Sequence, residues 1–545
     1  MITAVPFGYM FSHFPSKADG YYALHNIGDI NEYVFETNYK IKSVFVSFFL
    51  YYSMEAFLLF FYNRMKALFW KGSGKMITKD VKEQLIRIVG PENFDDSTAG
   101  RLVYSYDAAP QFQSMPDAVI APRSTDEVSR IVIICSEHRV PIVPRGSGTN
   151  LCGGTCPTEG GLVLLFKHMN RILEIDEENL TATVQPGVIT LDMIRAVESK
   201  GLFYPPDPSS MKISTMGGNI NENSGGLRGL KYGVTRDYVI GLEVVLANGD
   251  IIRTGGKLAK DVAGYDLTRL FVGSEGTLGI VTEAIVKLVP KPETKKTLLA
   301  LYEHIDAAAQ TVSNIIAAKI IPATLEFLDQ PTLLVIEDYA KIGLPTNAKA
   351  VLLIEQDGPF ETVARDMEKI EAICKKGDAV SVQAAQTEEE AFALTEARRS
   401  ALSALARLKP TTILEDATVP RSEIANMVKA INDIAAKYDL SICTFGHAGD
   451  GNLHPTCTTD IRNEDEMERV EQAFAEIFEK AIELGGTITG EHGVGSMKAP
   501  YLEMKLKKEG IAAMKAIKAA FDPRNILNPD KVFAKDARKR VVTER

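Results

Sequence analysis

Cysteine is scarce in this 545-residue sequence, and what there is suits metal–sulfur chemistry poorly. Its six cysteines, Cys135, Cys152, Cys156, Cys374, Cys443 and Cys457, form no Cys-x-x-Cys pair. That argues against an iron–sulfur cluster on this chain and fits a reduced, cytoplasmic protein. Cys152 and Cys156 are close, but no set of four neighbouring thiols exists, and both read as packing residues. Positive charge is in deficit too: the formal net charge is −10. A nucleic-acid partner and a broad basic membrane-binding face are thereby disfavoured. A nicotinamide-type dinucleotide fingerprint is missing, because Gly146-x-Gly148-x-x runs into Leu151 and no acid follows at the expected spacing. No internal repeat is visible.

Residues 1–75 do not share the pattern of the rest. They hold 11 of the 24 Phe, 8 of the 18 Tyr and the single Trp, Trp70. Val44 to Tyr62 is a 19-residue apolar run interrupted by Ser47, Ser53 and Glu55. Its length suits a membrane span, although a carboxylate near the middle is costly there. Arg64, Lys66, Lys71 and Lys75 follow, which would leave the larger part of the chain on the cytoplasmic side. The run starts too late for a cleavable signal peptide, and no small-residue cleavage site follows. The other reading is that translation natively begins at Met76, with the codons of Lys71-Gly-Ser-Gly-Lys75 acting as a ribosome-binding site. The expected location is cytoplasmic, with peripheral association at the inner membrane face left open.

What is abundant is glycine at organised positions. In Val140-Pro-Ile-Val-Pro-Arg-Gly-Ser-Gly-Thr-Asn-Leu-Cys-Gly-Gly154, the apolar run Val140 to Val143 predicts a buried strand ended by Pro144. Gly146, Gly148, Gly153 and Gly154 then let successive N–H groups point into one concavity, which suits a diphosphate. By itself the loop fits an ordinary turn equally well.

Along the chain, Lys79 to Val89 predicts a helix, 118–122 a strand, and the capping box Ser124-Thr-Asp-Glu127 a helix reaching His138. Strands follow at 162–166, 172–175 and 182–184, a helix at 190–200, and a hairpin over 241–253 turning at Asn248-Gly249. Beyond Pro290-Lys-Pro292 the order is strand (297–302), helix (306–318), strand (323–328), strand (350–356), helix (361–376), strand (379–384). That is a ferredoxin-like βαββαβ unit, an antiparallel sheet with helices on one side. Further helices are expected at 388–407, 421–437, 464–484 and 497–519. The fold class is α+β, divided as 1–75 (the extension), 76–292, 293–520 and 521–545, the last ending in a charged tail from Ala534.

Three of the eight histidines lie in two compact motifs. In Phe445-Gly-His-Ala-Gly-Asp-Gly-Asn-Leu-His454, His447 and His454 are seven apart, a spacing that requires a loop or hairpin. Gly490-Glu-His-Gly-Val-Gly495 adds Glu491 and His492, and Asp450 stands between the first pair. Two imidazoles and a carboxylate from such a set can hold a divalent cation with positions left open.

Several long motifs in order carry a resemblance: the 140–154 stretch, Pro206-Asp-Pro-Ser-Ser210, Thr215-Met-Gly-Gly-Asn-Ile-Asn-Glu-Asn-Ser-Gly-Gly226, Lys231-Tyr-Gly-Val-Thr-Arg-Asp237 and Gly273-Ser-Glu-Gly-Thr-Leu-Gly-Ile-Val281. Over roughly residues 91–533 the chain resembles FAD-linked D-2-hydroxy-acid dehydrogenases, with an FAD domain of the vanillyl-alcohol-oxidase/PCMH type. Within that group it looks like glycolate oxidase FAD subunits, D-lactate dehydrogenases and D-2-hydroxyglutarate dehydrogenases. The resemblance implies an FAD site formed by Pro144, Arg145, Gly146, Ser147, Gly148, Thr149, Asn150, Gly153, Gly154, Pro206, Asp207 and Ser210. Thr215, Gly217, Gly218, Asn219, Asn223, Ser224, Gly225, Gly273, Glu275, Gly276, Gly279, Ile280, Val281 and Asn528 complete it. No histidine stands in the 144–154 loop, so FAD is expected to be held there without a covalent histidyl bond. By the same resemblance His447, His454 and Glu491 bind a divalent metal (Zn, Fe or Mn), and His492 lies next to substrate. Arg398, with Arg399 as its rival, binds the substrate carboxylate, a planar partner that a guanidinium can grip by both oxygens.

One departure stands out: Leu414-Glu415 precedes Asp416-Ala-Thr418 where the hydroxyglutarate enzyme has a lysine. This favours a short hydroxy acid, D-lactate first and glycolate second. Relatives pass electrons to an electron-transfer flavoprotein, an iron–sulfur subunit or a quinone. Two alternatives remain on the same fold: the hydroxyglutarate activity, and an NADPH-dependent UDP-sugar enolpyruvate reductase.

Overall fold

The computed structural model describes residues 77–109 and 112–533. The aromatic extension, with its 44–62 run, and the tail from Ala534 lie outside the described residues. Among the described residues, no helix is long and apolar enough to cross a membrane.

The first sheet contains β1 (Phe94–Asp95), β2 (Ala118–Ile120), β3 (Ile142–Arg145) and β4 (Leu162–Leu165) in the order β1-β2-β4-β3, with β2, β4 and β3 parallel. Helix Thr125–His138 makes the crossover. Ser124 Oγ accepts from Glu127 N at 3.2 Å, as the capping box predicts, but Glu127 reaches back to Arg123 N instead of the cap itself. Pro144 does not end its strand: β3 runs on to Arg145, with Pro144 opposite Leu164. The proline is tolerated because β3 is the last strand of this sheet, where a missing N–H breaks no ladder. Ile526 O accepts from Ile142 N, and Ile142 O from Asn528 N, each at 2.7 Å, so the end of the chain returns to the beginning.

The second sheet is antiparallel: β5 (Ile172–Asp176), β6 (Thr181–Val184), β8 (Val239–Val245), β9 (Ile251–Gly255) and β10 (Ile280–Lys287), in the order β5-β6-β10-β8-β9. Between β6 and β8, β7 (Leu202–Phe203) pairs with β11 (Val289–Pro290). The β8–β9 hairpin turns through Asn248-Gly249, where Gly249 N donates to Leu246 O at 2.8 Å.

The third sheet begins with β12 (Thr294–Tyr302), β13 (Thr324–Asp329), β14 (Ala350–Gly358) and β15 (Ser381–Ala384), ordered β15-β12-β14-β13, the ferredoxin-like arrangement. It does not stop there. Strands β16 (Thr411–Leu414), β17 (Ala417–Thr418), β18 (Ile442–His447) and β19 (Asn452–Thr459) extend it past β13, through β18, β19 and β16.

Nor do the helices keep to one side. Along β12, Leu298, Ala300 and Tyr302 enter one core while Leu299 and Leu301 enter another. A strand apolar on both faces needs cover on both. Helices Ile305–Ala317, Phe360–Lys376, Ile424–Lys437 and Glu464–Glu483 cover the first face. The unexpected helix Gln330–Ala340, with Glu388–Arg399 and Ala401–Leu405, covers the second. The helix expected over 388–407 is thus two, broken at Ser400. The one expected at 497–519 begins after Pro500 as Leu502–Phe521 and is interrupted at Lys507, whose φ is +56°.

Candidate functional site

A cleft of about 470 Å³ is walled on one side by the glycine loops and on the other by the face of the third sheet. Pro144, Arg145, Gly146, Ser147, Gly148, Thr149, Asn150 and Gly154 line it, with Ser210, Thr215, Gly217, Gly218, Asn219 and Ser224. Glu275, Gly276, Val281 and Asn528 complete that wall. Gly148 has φ +70°, the left-handed region that glycine adopts without strain, and a β-carbon there would meet the Arg145 guanidinium. Thr215 caps helix Met216–Glu222 by accepting from Gly218 N at 3.2 Å. Ser147 gives its hydroxyl to the Ile213 carbonyl, leaving this wall dominated by main-chain groups.

Asn528 ties the wall together. Its Nδ2 donates to Gly154 O at 2.9 Å and Glu275 O at 2.7 Å. Its buried Oδ1 finds no hydrogen-bond partner among the described residues, an orphan acceptor suited to a ligand N–H in the cleft. A diphosphate-bearing cofactor such as FAD fits this cradle.

Other expected residues support the cleft without lining it. Asp207 is buried under Arg399, whose Nη1 donates to Asp207 O at 2.9 Å and whose Nη2 pairs with its carboxylate; Arg228 lies 3.6 Å from the same carboxylate. Asn223 Oδ1 accepts from Arg236 N at 2.8 Å. Gly273 N donates to Ile220 O at 2.9 Å. Gly279 packs under Val244 and Phe271, and Ile280 is core of β10. Gly153 sits against Phe112 and Met497, and Pro206 is buried outside the lining. Gly225 approaches Glu491 so closely that a β-carbon would overlap its carboxylate, which joins the two walls.

The opposite wall is made of side chains. His447 ends β18 and His454 lies on β19 opposite Phe445, so the hairpin sets both imidazoles on one face. Their ring centroids are 5.1 Å apart. Glu491 Oε1 stands 3.1 Å from His447 Nε2 and 3.4 Å from His454 Nε2. Across the hairpin, Phe327 pairs with Gly446, which brings Glu326 of β13 beside His447. Glu326 Oε1 is 2.7 Å from His447 Nδ1, a contact at which an ionised carboxylate only accepts, so Nδ1 carries a proton; the other ring nitrogen, Nε2, faces the Glu491 carboxylate. Burial alone would push Glu326 up, but Arg398 and then His447 hold it below the usual carboxylate range. Two imidazoles and a carboxylate converging within 4.8 Å, one with its outer nitrogen fixed by an acid, are a donor set that fits a divalent cation.

His492 stacks on His454 at 4.9 Å, nearly parallel, and lines the cleft. Burial pushes it down to about 3 against the attraction of Asp416, so the ring is neutral. Both arginines line the cleft, but Arg399 is committed to Asp207. Arg398 lies over the Phe445 ring at 4.7 Å and pairs with Glu326 at 2.6 Å.

Sequence reasoning missed Glu326 as a site residue, and Asp416 entered only through its neighbours. Asp416 Oδ2 accepts from Thr489 Oγ1 and Gly490 N at 2.7 Å, and from Glu491 N and His492 N at 2.9 Å. That one carboxylate sets the segment carrying Glu491 and His492. Glu275 holds its continuation, accepting from Val494 N and Gly495 N at 2.7 Å. Lys498, also buried, lies 3.5 Å from Glu415 and 3.9 Å from Asp416. The available signal was an acid at the centre of a fully buried strand, as Glu326 is in Thr324–Asp329. Glu415 does not line the cleft, whereas Leu414 does.

Comparisons agree with this geometry. Residues 116–255 match the FAD binding domain family, and residues 291–532 match the family of FAD linked oxidases, C-terminal domain. The glycolate oxidase subunit GlcD of Bacillus subtilis (strain 168) is 95% identical over 470 residues, 86% of this chain and 100% of that one. GlcD of Escherichia coli (strain K12) is 38% identical over 78% of this chain and 86% of its own. A D-lactate dehydrogenase of Anaerostipes hadrus is 36% identical over 78% and 90%. Among solved structures, p-cresol methylhydroxylase superposes with a TM-score of 0.70 at 20% identity, covering 85% of this chain and 98% of its own. The fold is therefore α+β with an FAD domain of the vanillyl-alcohol-oxidase/PCMH type. With a relative so similar along its whole length and family matches in both halves, the chain belongs to the FAD-linked oxidases and is an FAD-linked oxidoreductase.

Proposed function

We propose that the protein oxidises a short D-2-hydroxy acid, D-lactate first and glycolate second, to the 2-oxo acid. The observation that carries this reading is one cleft lined by the glycine cradle, the His447–His454–Glu491 set, His492 and Arg398. FAD, held without a covalent bond, would supply the hydride acceptor, and a divalent cation (Zn, Fe or Mn) on His447, His454 and Glu491 would supply Lewis acidity. Arg398 binds the substrate carboxylate through its guanidinium. His492 accepts the hydroxyl proton at a ring nitrogen, and Asp416 holds that residue in place through its main-chain N–H. Of the other cations lining the cleft, Lys212 and Arg399 are paired with Glu396 and Asp207, which supports a substrate with a single carboxylate. The names of the similar proteins support the substrate class.

Electrons then pass to a partner: an electron-transfer flavoprotein, an iron–sulfur subunit or a quinone. Two of the relatives are named as subunits, which supports a protein partner. Six buried free thiols support a reduced, cytoplasmic location. The proposed division is an FAD-binding part over 76–292, a substrate part over 293–520, and a C-terminal segment returning to the flavin.

The test is anaerobic mixing with D-lactate, L-lactate, glycolate and D-2-hydroxyglutarate, following flavin absorbance with and without chelation. Bleaching by D-lactate or glycolate that disappears on chelation is expected. Bleaching that survives complete metal removal overturns the cation's role, and bleaching by none of the acids overturns the activity.

A further inference from the structure

Glu326 belongs to neither set of groups that would touch ligands, yet it touches one member of each. It is fully buried on β13, behind the cleft wall and outside the lining. Its two carboxylate oxygens are divided: Oε1 meets His447 Nδ1 at 2.7 Å, and Oε2 meets Arg398 Nη2 at 2.6 Å. These three residues come from β13, the end of helix Glu388–Arg399 and the end of β18, and Glu326 and His447 are 121 positions apart. Arg398 is further confined by the Phe445 ring, so its guanidinium has Glu326 on one side and the cleft on another. His447 is confined likewise, with Glu326 at Nδ1 and Glu491 at Nε2.

A buried carboxylate with one oxygen on each neighbour cannot rotate to improve one contact without spoiling the other. Loss of either contact would leave a buried charge uncompensated, so the three side chains hold a single joint arrangement.

Resting on the functional reading above, we propose that Glu326 is a positioning residue that sets the cation ligand His447 and the carboxylate-binding Arg398 together. It holds the His447 ring through the Nδ1 contact, with Nε2 toward Glu491, and holds the Arg398 guanidinium in place by charge pairing. Cation binding and hydroxy-acid binding thus depend on the same carboxylate. A change at Arg398, which offers no donor to a cation, reaches the cation site through Glu326.

The test uses the full chain loaded with FAD, with Mn²⁺ alone as probe, titrated against a competing chelator in the absence of any acid. Glu326→Gln keeps the shape and removes the charge. It is expected to weaken Mn²⁺ by about 10–100-fold, the usual effect of removing an outer partner of a metal-binding histidine. The same variant is expected to raise KM for D-lactate by about tenfold or more, from loss of one charge-assisted contact to Arg398, with flavin content unchanged. Arg398→Lys is expected to weaken Mn²⁺ by about fivefold, and its effect on Mn²⁺ is expected to be non-additive with that of Glu326→Gln. A purely local role for Arg398 would leave Mn²⁺ binding unmoved, so this arm serves even if Glu326→Gln fails to fold. Mn²⁺ affinities within about twofold of the parent in either folded variant overturn the inference while leaving the cation site standing. Failure of the parent itself to bind Mn²⁺ or Zn²⁺ overturns the cation site and the inference with it.

Discussion

The two walls of the cleft are built from different materials. On the glycine side, residues 144–154 and 215–226 offer N–H groups and small side chains, and the hydroxyls and amides nearby mostly bond within the wall, as Ser147 does to Ile213 and Asn219 to Thr190. On the opposite side, Glu326, Arg398, Asp416, His447, His454, Glu491 and Lys498 are charged or ionisable, packed within a few ångströms, and held by one another. A main-chain cradle needs glycine in runs, because the backbone itself must approach the ligand. A side-chain cluster needs only single residues on separate strands, each positioned by sheet register. The first leaves a contiguous trace in the sequence. The second does not.

The two walls separate most sharply at His492. His492→Ala is expected to lower kcat by about 10²–10⁴-fold, the range for loss of a positioned general base, with the flavin spectrum and FAD content unchanged. Equal loss of FAD would mean that the two walls do not divide the work as described. Next comes the carboxylate that orders the Thr489–His492 segment. Asp416→Ala strands four donors that now converge on one oxygen. A stability loss of about 3–5 kcal/mol is expected, measured by denaturant unfolding, as for other broken buried ionic networks. The smallest effects belong to the glycine wall. Asn528→Ala removes two donated bonds and an orphan acceptor, and is expected to weaken FAD by about tenfold in equilibrium dialysis. Ser147→Ala, whose hydroxyl is already spent on Ile213, is expected to change FAD affinity by no more than about threefold.

What was legible in the sequence follows the same division. The glycine motifs, the capped helix Thr125–His138, the Asn248-Gly249 hairpin and the first strands of the third sheet are local patterns, and each lies where its pattern predicts, although an unforeseen helix stands between β13 and β14. His447, His454, Glu491 and His492 were legible because glycine brackets them in two short motifs. Glu326 was not, because an acid within a short buried strand gives no hint of the histidine 121 residues away that it faces. The extension of the third sheet was equally hidden: β13 pairs with β18 across more than a hundred residues, and only tertiary packing decides that partner. The Gln330–Ala340 helix was missed for a related reason. Its few buried apolar residues, Leu333 and Ile336, show their purpose only once a second sheet face needs cover.

The proposed cation belongs on the side-chain wall, at His447, His454 and Glu491. Crystals grown with Zn²⁺ and FAD, measured at the zinc absorption edge, test it directly. One anomalous peak is predicted, about 2.0–2.2 Å from His447 Nε2, His454 Nε2 and a Glu491 carboxylate oxygen. A full-occupancy protein with no peak there, or with its peak among other residues, would contradict the account.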